Sequence, residues 1–335
     1  MIHYRKYLVI AAQTAVSIGV LAWIASRVDL SDSMRAIAAI PPSAVILAVA
    51  TVGLGFVVNA LRWGALLRNF SITLSFGRLF SFYVMGLFFS LFLPTSIGGD
   101  AFRVYAVARS SDRPAAVLFA TLQDRMLGLC ASMAVSLAVM PLAGPMLPRD
   151  FLIWIATMQL AAVVGLAFVL YPPLAFVVGV WLSRRFSRLS GLALRMRPTR
   201  IVGHLERAMA GLGGLMRTRP GNIHITVVLG VLPVVIIAFA YQTILRSMGV
   251  DAEPAALLLI IPLVWIARLL PISLGGIGVG EGAFVLLARF AGIDGDKAFA
   301  TALAVLAVQI AWALVGGVLL LRSGLKKALS HARRS

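Results

Sequence analysis

Six segments of this chain are each long and apolar enough to cross a lipid bilayer, and that number dictates the fold class. A spanning helix needs about 20 mostly apolar residues, and the segments 7–26, 43–61, 115–140, 151–170, 223–245 and 298–321 meet that length. Two further apolar stretches, 79–107 and 255–290, are interrupted near their middles by proline and glycine. Because 61% of the residues are hydrophobic and only 13% are charged, lipid is the solvent for most of the chain. The expected fold is an all-α polytopic membrane protein, a single transmembrane domain of six full spans plus two broken helices.

The first segment lies behind Arg5 and Lys6 like a signal peptide. Its apolar core exceeds the roughly 7 to 15 residues of such a peptide, and no small-residue cleavage site follows, so it reads as a retained span. The single cysteine, Cys130, excludes an intrachain disulfide, and the four histidines, His3, His204, His224 and His331, have no metal-ligand spacing. No metal or cofactor is implied.

A net charge of +18 would suggest a nucleic-acid partner in a soluble protein, but here the cations cluster in loops beside apolar runs. That is the positive-inside pattern, and no nucleic acid is expected. The loop 183–222 holds nine arginines against one acid, Glu206, which assigns it to the cytoplasmic side, together with both termini. From Thr199 to Arg217 it alternates apolar and basic residues well enough for an amphipathic helix on an anionic leaflet.

Walking the chain from the cytoplasm exposes a conflict that only hairpins resolve. Segment 43–61 returns Arg62, Arg68 and Arg78 to the inside, yet Arg103, Arg109 and Arg113 beyond the first broken stretch are also basic. That stretch must enter and leave by the same face, turning at 94–99. The same bookkeeping makes the second stretch turn back at 271–280 and return outside near Asp294 and Asp296, so that the last span ends in the basic tail. The two halves, about 1–145 and 146–325, then match in order with opposite orientation.

The two breaks are themselves alike. Leu93-Pro94-Thr95-Ser96-Ile97-Gly98-Gly99 and Leu270-Pro271-Ile272-Ser273-Leu274-Gly275-Gly276 agree at five of seven positions. Charge counting and local sequence thus point separately to an inverted repeat. The competing reading is that Leu-Pro and Gly-Gly are merely common in membrane helices and that 79–107 is one kinked crossing. Proline removes an amide donor and paired glycines allow close backbone approach. Unwound backbone at membrane depth survives only when packed in protein or facing a wet cavity, and the helix termini it creates can hold anions.

Charges costing roughly 2.5 to 3.5 kcal/mol each at the centre of a lipid-facing helix lie near both breaks. The first has Asp100 and Arg103, with Asp124 and Arg125 in the following span; the second has Arg268 and Glu281, with Arg289 further on. Adjacent residues project about 100° apart on a helix, so Asp124 and Arg125 are expected to pair elsewhere, and Arg268 with a carboxylate of the other hairpin. Static buried pairs and a polar path across the bilayer both fit these residues. Arg62, Arg103 and Arg289 also fit interfacial positions.

Catalytic signatures give no support for chemistry. Gly98-Gly99-Asp100 is similar to the Gly-x-Gly-Asp of intramembrane aspartyl proteases, but Ile97 stands where glycine is needed. No Walker-type loop, His-Glu-x-x-His or Gly-x-Ser-x-Gly occurs.

With these residues placed, the chain resembles the flippase-like transmembrane family named after lysylphosphatidylglycerol synthase, the membrane half of the bacterial multiple peptide resistance factor. The likeness is carried by Arg62-Trp63 with Leu66-Leu67, by Leu93-Pro94 through Gly98-Gly99-Asp100 with Arg103 and Tyr105, by Asp124-Arg125 with Gly128, and by Pro271 to Gly278 ending at Glu281. It implies a bacterial cytoplasmic-membrane protein that handles a lipid, whether an anionic or aminoacylated phospholipid or a polyprenol-linked one. No stretch resembles the soluble aminoacyl-transfer domain of the full synthase, so enzymatic activity is not expected. The expected headgroup path comprises Pro94, Ser96, Gly98, Gly99, Asp100, Arg103, Asp124, Arg125, Arg268, Pro271, Ser273, Gly275, Gly276 and Glu281. The alternative is a non-transporting scaffold that holds a separate lipid-modifying or glycosyl-transferring enzyme by the arginine-rich loop.

Overall fold

The computed structural model describes residues 2–92, 98–109, 111, 113–143, 148–150, 152–157, 159–160 and 221–332, all in helices or the turns that join them. They belong to two compact units, residues 1–149 with 225–335, and residues 150–224. Of the second unit, 150, 152–157, 159–160 and 221–224 are described, and all are helical. Of the expected span 151–170, residues 152–157 and 159–160 are described; the rest of it, nearly all of the basic loop 183–222 and the motif residues 93–97, Pro94 and Ser96 among them, lie outside the described residues.

The larger unit begins with α1 (Ile2–Ala25) and α2 (Leu30–Ala38), bent 95° from each other. Asp29 makes the corner, its carboxylate accepting the amides of Ser31 and Asp32 at the start of α2, which satisfies donors that a helix start leaves free. Next comes α3 (Pro42–Asn69), entered through proline at its first position. It closes in a Schellman arrangement, with Ser71 at φ 60° and the amides of Ser71 and Ile72 donating to the carbonyls of Arg68 and Leu67.

The first broken stretch is α4 (Phe76–Phe92) and α5 (Gly98–Ala108), followed by α6 (Pro114–Ala143). After residue 221 come α7 (Gly221–Ser247), α8 (Pro254–Leu269), a 3-10 turn (Leu274–Gly276), α9 (Val279–Phe290) and α10 (Gly295–Ala332). Four of the expected spans reappear as helices apolar and long enough to cross a membrane, at Pro42–Asn69, Pro114–Leu142, Val228–Ser247 and Gly295–Ser323, and the bent α1–α2 pair raises the number to five. The segment expected at 7–26 coincides with α1, whereas α2 was not anticipated. Its signal is the Asp29 cap, which the span-length criterion ignores.

Both broken stretches fold back on themselves. In the first, the Phe89 and Phe102 rings stack with centroids 4.6 Å apart, and Gly99 lies so close to the Gly86 carbonyl and Ser90 Oγ that a β-carbon would collide with both. Paired residues diverge symmetrically from the break, so α4 and α5 run antiparallel. In the second, α8 and α9 pack together, and the chain reverses through Gly275, Gly276 and Gly278 at φ 59°, 79° and 86°, where a side chain would be strained.

The breaks also meet each other, since Gly275 lies against the Leu91 carbonyl, and a β-carbon there would stand 2.5 Å from it. Lipid gives no hydrophobic drive between helices, so close backbone approach through small residues holds them. Gly316 of α10 serves this purpose, pressed directly on the Val84 carbonyl of α4. A core of Trp63, Leu67, Phe70, Leu79, Val107 and Val117 then locks α3, α4, α5 and α6 around the first hairpin.

Candidate functional site

The first hairpin carries a chain of ion pairs. Asp124 of α6 is 2% exposed and accepts from Arg62 Nε at 2.7 Å and from Arg103 Nη1 at 3.1 Å. Arg103 also pairs with Asp100, and Asp100 with Arg125. The result is the sequence Arg62, Asp124, Arg103, Asp100, Arg125, with each carboxylate between two guanidinium groups. Asp124 and Arg125 do find separate partners, as their angular separation demands. The Arg103 guanidinium is further held between the Trp63 and Tyr83 rings, 5.1 and 4.8 Å from their centroids.

Local sequence explains the fit. Gly128 follows Asp124 by one helical turn and shares its face, and a β-carbon there would stand 2.9 Å from Arg62 Nη2. Asp124 binds Arg62 while Gly128 leaves room for it. Arg62 and Arg103 are thus buried and paired rather than snorkelling to an interface. Arg289 does sit at an exposed end of α9, its Nη2 3.5 Å from the Arg27 carbonyl.

The second hairpin holds a compact counterpart. Arg268 at the end of α8 donates from Nη2 to Glu281 Oε1 and from Nη1 to Gln309 Oε1, both at 2.7 Å. Glu281 is the third residue of α9, and its Oε2 accepts the Gly278 amide at 2.6 Å, the reciprocal half of a capping box. The expectation that Arg268 pairs with a carboxylate of the other hairpin is corrected here. A tight turn brings residue 281 beside residue 268, and the helix start has already oriented its carboxylate. Gly276 and Gly280 form the slot, since a β-carbon on Gly280 would fall onto Arg268 Nε.

Backbone freed by the second break is satisfied from α1. Gln13 Nε2 donates to the Pro271 carbonyl at 3.0 Å, and the Leu274 amide donates to Ser17 Oγ at 2.9 Å. Sequence reasoning missed both residues. Their signal was a pair of polar residues one helical turn apart on an otherwise apolar helix. Ser273 is buried beside them.

Two adjoining cavities connect the clusters. One, of about 260 Å³, is lined by Arg62, Tyr83, Asp100, Arg103 and Asp124. The other, of about 280 Å³, is lined by Arg268, Gln309 and Gly275. Asn59, Ser90, Arg125, Pro233 and Trp265 border both. Of the expected site residues, Gly99, Asp100, Arg103, Asp124, Arg125, Arg268 and Gly275 face this space. Glu281 and Gly276 support Arg268 from behind, while Gly98, Pro271 and Ser273 belong to the breaks and line neither of these two cavities. Asn59, Arg62, Tyr83, Ser90 and Trp265 join the site although they were not among the expected path residues.

Charge within the clusters does not cancel. Among the described residues, four arginines (62, 103, 125 and 268) face three carboxylates (100, 124 and 281), one formal positive charge more than the acids of that set. Arg125 and Arg268 have the most accessible side chains of the set, 22% and 20% exposed, and both face the second cavity.

No curated protein sequence matches the chain. Residues 10–317 match the family described as lysylphosphatidylglycerol synthase TM region. That match spans nearly the whole chain, in keeping with the paired breaks and the buried charges they carry, and this membrane-embedded protein belongs to that family.

Proposed function

We propose that this protein is a lipid translocase, moving a phospholipid or other lipid with an anionic headgroup across the bacterial cytoplasmic membrane. One observation carries the reading. Arg125, tied to the first hairpin through Asp100, and Arg268, the end of the second, open onto the same cavity in clusters that keep one positive charge in surplus. A phosphate between them would exchange part of each arginine's carboxylate pairing for its own, and Asp100, Asp124 and Glu281 would balance the charge once it leaves.

In this reading the hairpins are re-entrant, the first opening to the cytoplasm and the second to the outside, within an inverted repeat whose termini are both cytoplasmic. Supporting it are the five-of-seven identity of the breaks, the folding back of each broken stretch, and the contact between Gly275 and Leu91. Transport, not group transfer, is the activity we assign. Reconstitution into vesicles containing fluorescent phosphatidylglycerol tests it: the protein should accelerate loss of outer-leaflet asymmetry over protein-free vesicles. An unchanged rate for anionic and aminoacylated lipids alike would overturn the proposal.

A further inference from the structure

The first hairpin has a second face, turned away from the charged cavities. On α4, Tyr83, Gly86 and Ser90 face the first cavity, whereas Arg78, Phe82 and Met85 line a separate groove of about 690 Å³. On α5 the division repeats, with Gly99, Asp100 and Arg103 inward and Phe102 and Tyr105, with Arg109 just past the helix end, towards the groove. Leu320 and Ser323 of α10 complete it. Its size falls within the roughly 300–1,000 Å³ of ligand-binding clefts. One hairpin therefore separates the groove from the charged cavities.

The groove pairs an apolar, aromatic floor with a cationic rim. Arg109 lies over the Tyr105 ring at 5.5 Å and donates from Nη1 to its hydroxyl at 2.9 Å. Among the described residues, neither Arg78 nor Arg109 has a carboxylate within ion-pair distance, whereas Arg62, Arg103, Arg125 and Arg268 all do. Close in sequence to the groove's residues stand three more arginines, Arg68, Arg113 and Arg322. Bare cations beside an apolar cleft at a helix-bundle end suit a phosphate with attached acyl chains. Phe76 and Leu321, each within two residues of the groove's own in sequence, are exposed, an apolar rim suited to acyl chains.

We propose that this groove is a loading site for an anionic glycerophospholipid of the leaflet at the basic end, its phosphate held between Arg78 and Arg109 and its upper acyl carbons on Phe82, Met85, Phe102 and Leu320. The role as a loading site rests on the translocation reading; the binding itself does not. The hairpin then passes cargo from one of its faces to the other, so the groove and the charged cavities are successive stations.

Acyl-diazirine probes on the full chain test this. Phosphatidylcholine vesicles holding the protein are doped with photoactivatable phosphatidylglycerol or with the matched phosphatidylcholine probe, and labelled peptides are read by mass spectrometry. The glycerol probe should label segments 74–85 and 102–109 roughly ten-fold more than the choline probe, the preference two arginine contacts supply. Arg78→Gln with Arg109→Gln should abolish that preference, and Arg78→Lys with Arg109→Lys should retain most of it; both residues are exposed, so an unchanged melting temperature is the control. Equal labelling by the two probes, or a preference that survives the double glutamine variant, would overturn the site. Movement measured on the same vesicles separates the ideas. Preferential labelling without movement overturns the translocation reading and leaves the site standing, and movement without preferential labelling does the reverse.

Discussion

Asp124 holds two arginines in a space from which water is nearly excluded, and its removal is where the account is most sensitive at the scale of one residue. Breaking a buried pair leaves uncompensated charge at a cost on the order of 3–5 kcal/mol. Asp124→Asn should therefore lower the detergent melting temperature sharply, and Arg62→Gln should partly restore it by removing one stranded cation. A different change probes the slot around Arg268. Gly280→Ala puts a methyl group onto Arg268 Nε and should pull the guanidinium away from Glu281. A charged hydrogen bond is worth roughly 1.5–3 kcal/mol, so transport should fall at least about ten-fold while the protein still folds. Unchanged transport in Gly280→Ala would show that the Arg268–Glu281 geometry is not used.

At the second break, side chains of α1 pair the backbone that unwinding frees. Ser17→Val deprives the Leu274 amide of its acceptor, and Gln13→Leu does the same to the Pro271 carbonyl's donor. Each change should cost about 1–3 kcal/mol, read as a loss of thermal stability without any change at the first hairpin. The re-entrant geometry has its own test. With Cys130 replaced, single cysteines at positions 68 and 111 should react from the same side of sealed vesicles; labelling from opposite sides would make 79–107 a full crossing. What the sequence revealed follows from the same physics. Length and hydropathy suffice to find α3, α6, α7 and α10, and proline with paired glycine suffices to find the breaks. Asp29, Gln13 and Ser17 act through individual hydrogen bonds of a polar side chain, those of Gln13 and Ser17 to backbone more than 250 residues away, and a count of apolar residues cannot register that. Partner choice was the least legible part, as Arg268 shows. Which carboxylate it meets depends on the tightness of a glycine turn, not on charge arithmetic.

For the whole molecule, the central claim is that Arg125 of α6, paired to the first hairpin through Asp100, and Arg268 of the second hairpin open onto a shared cavity, where a single anionic headgroup engages both. Family membership and buried charge are compatible with each cluster acting alone; coupling between them is what the claim adds. Interaction energies between residues that share a partner appear as non-additivity in a double-mutant cycle. Transbilayer movement of fluorescent phosphatidylglycerol should therefore be measured for the native protein, Arg125→Gln, Arg268→Gln and the double variant, each checked for thermal stability. The account predicts that either single change slows movement strongly and that the double variant is scarcely slower than the poorer single one. Effects that simply multiply, or a native protein that moves the lipid no faster than protein-free vesicles do, would contradict it.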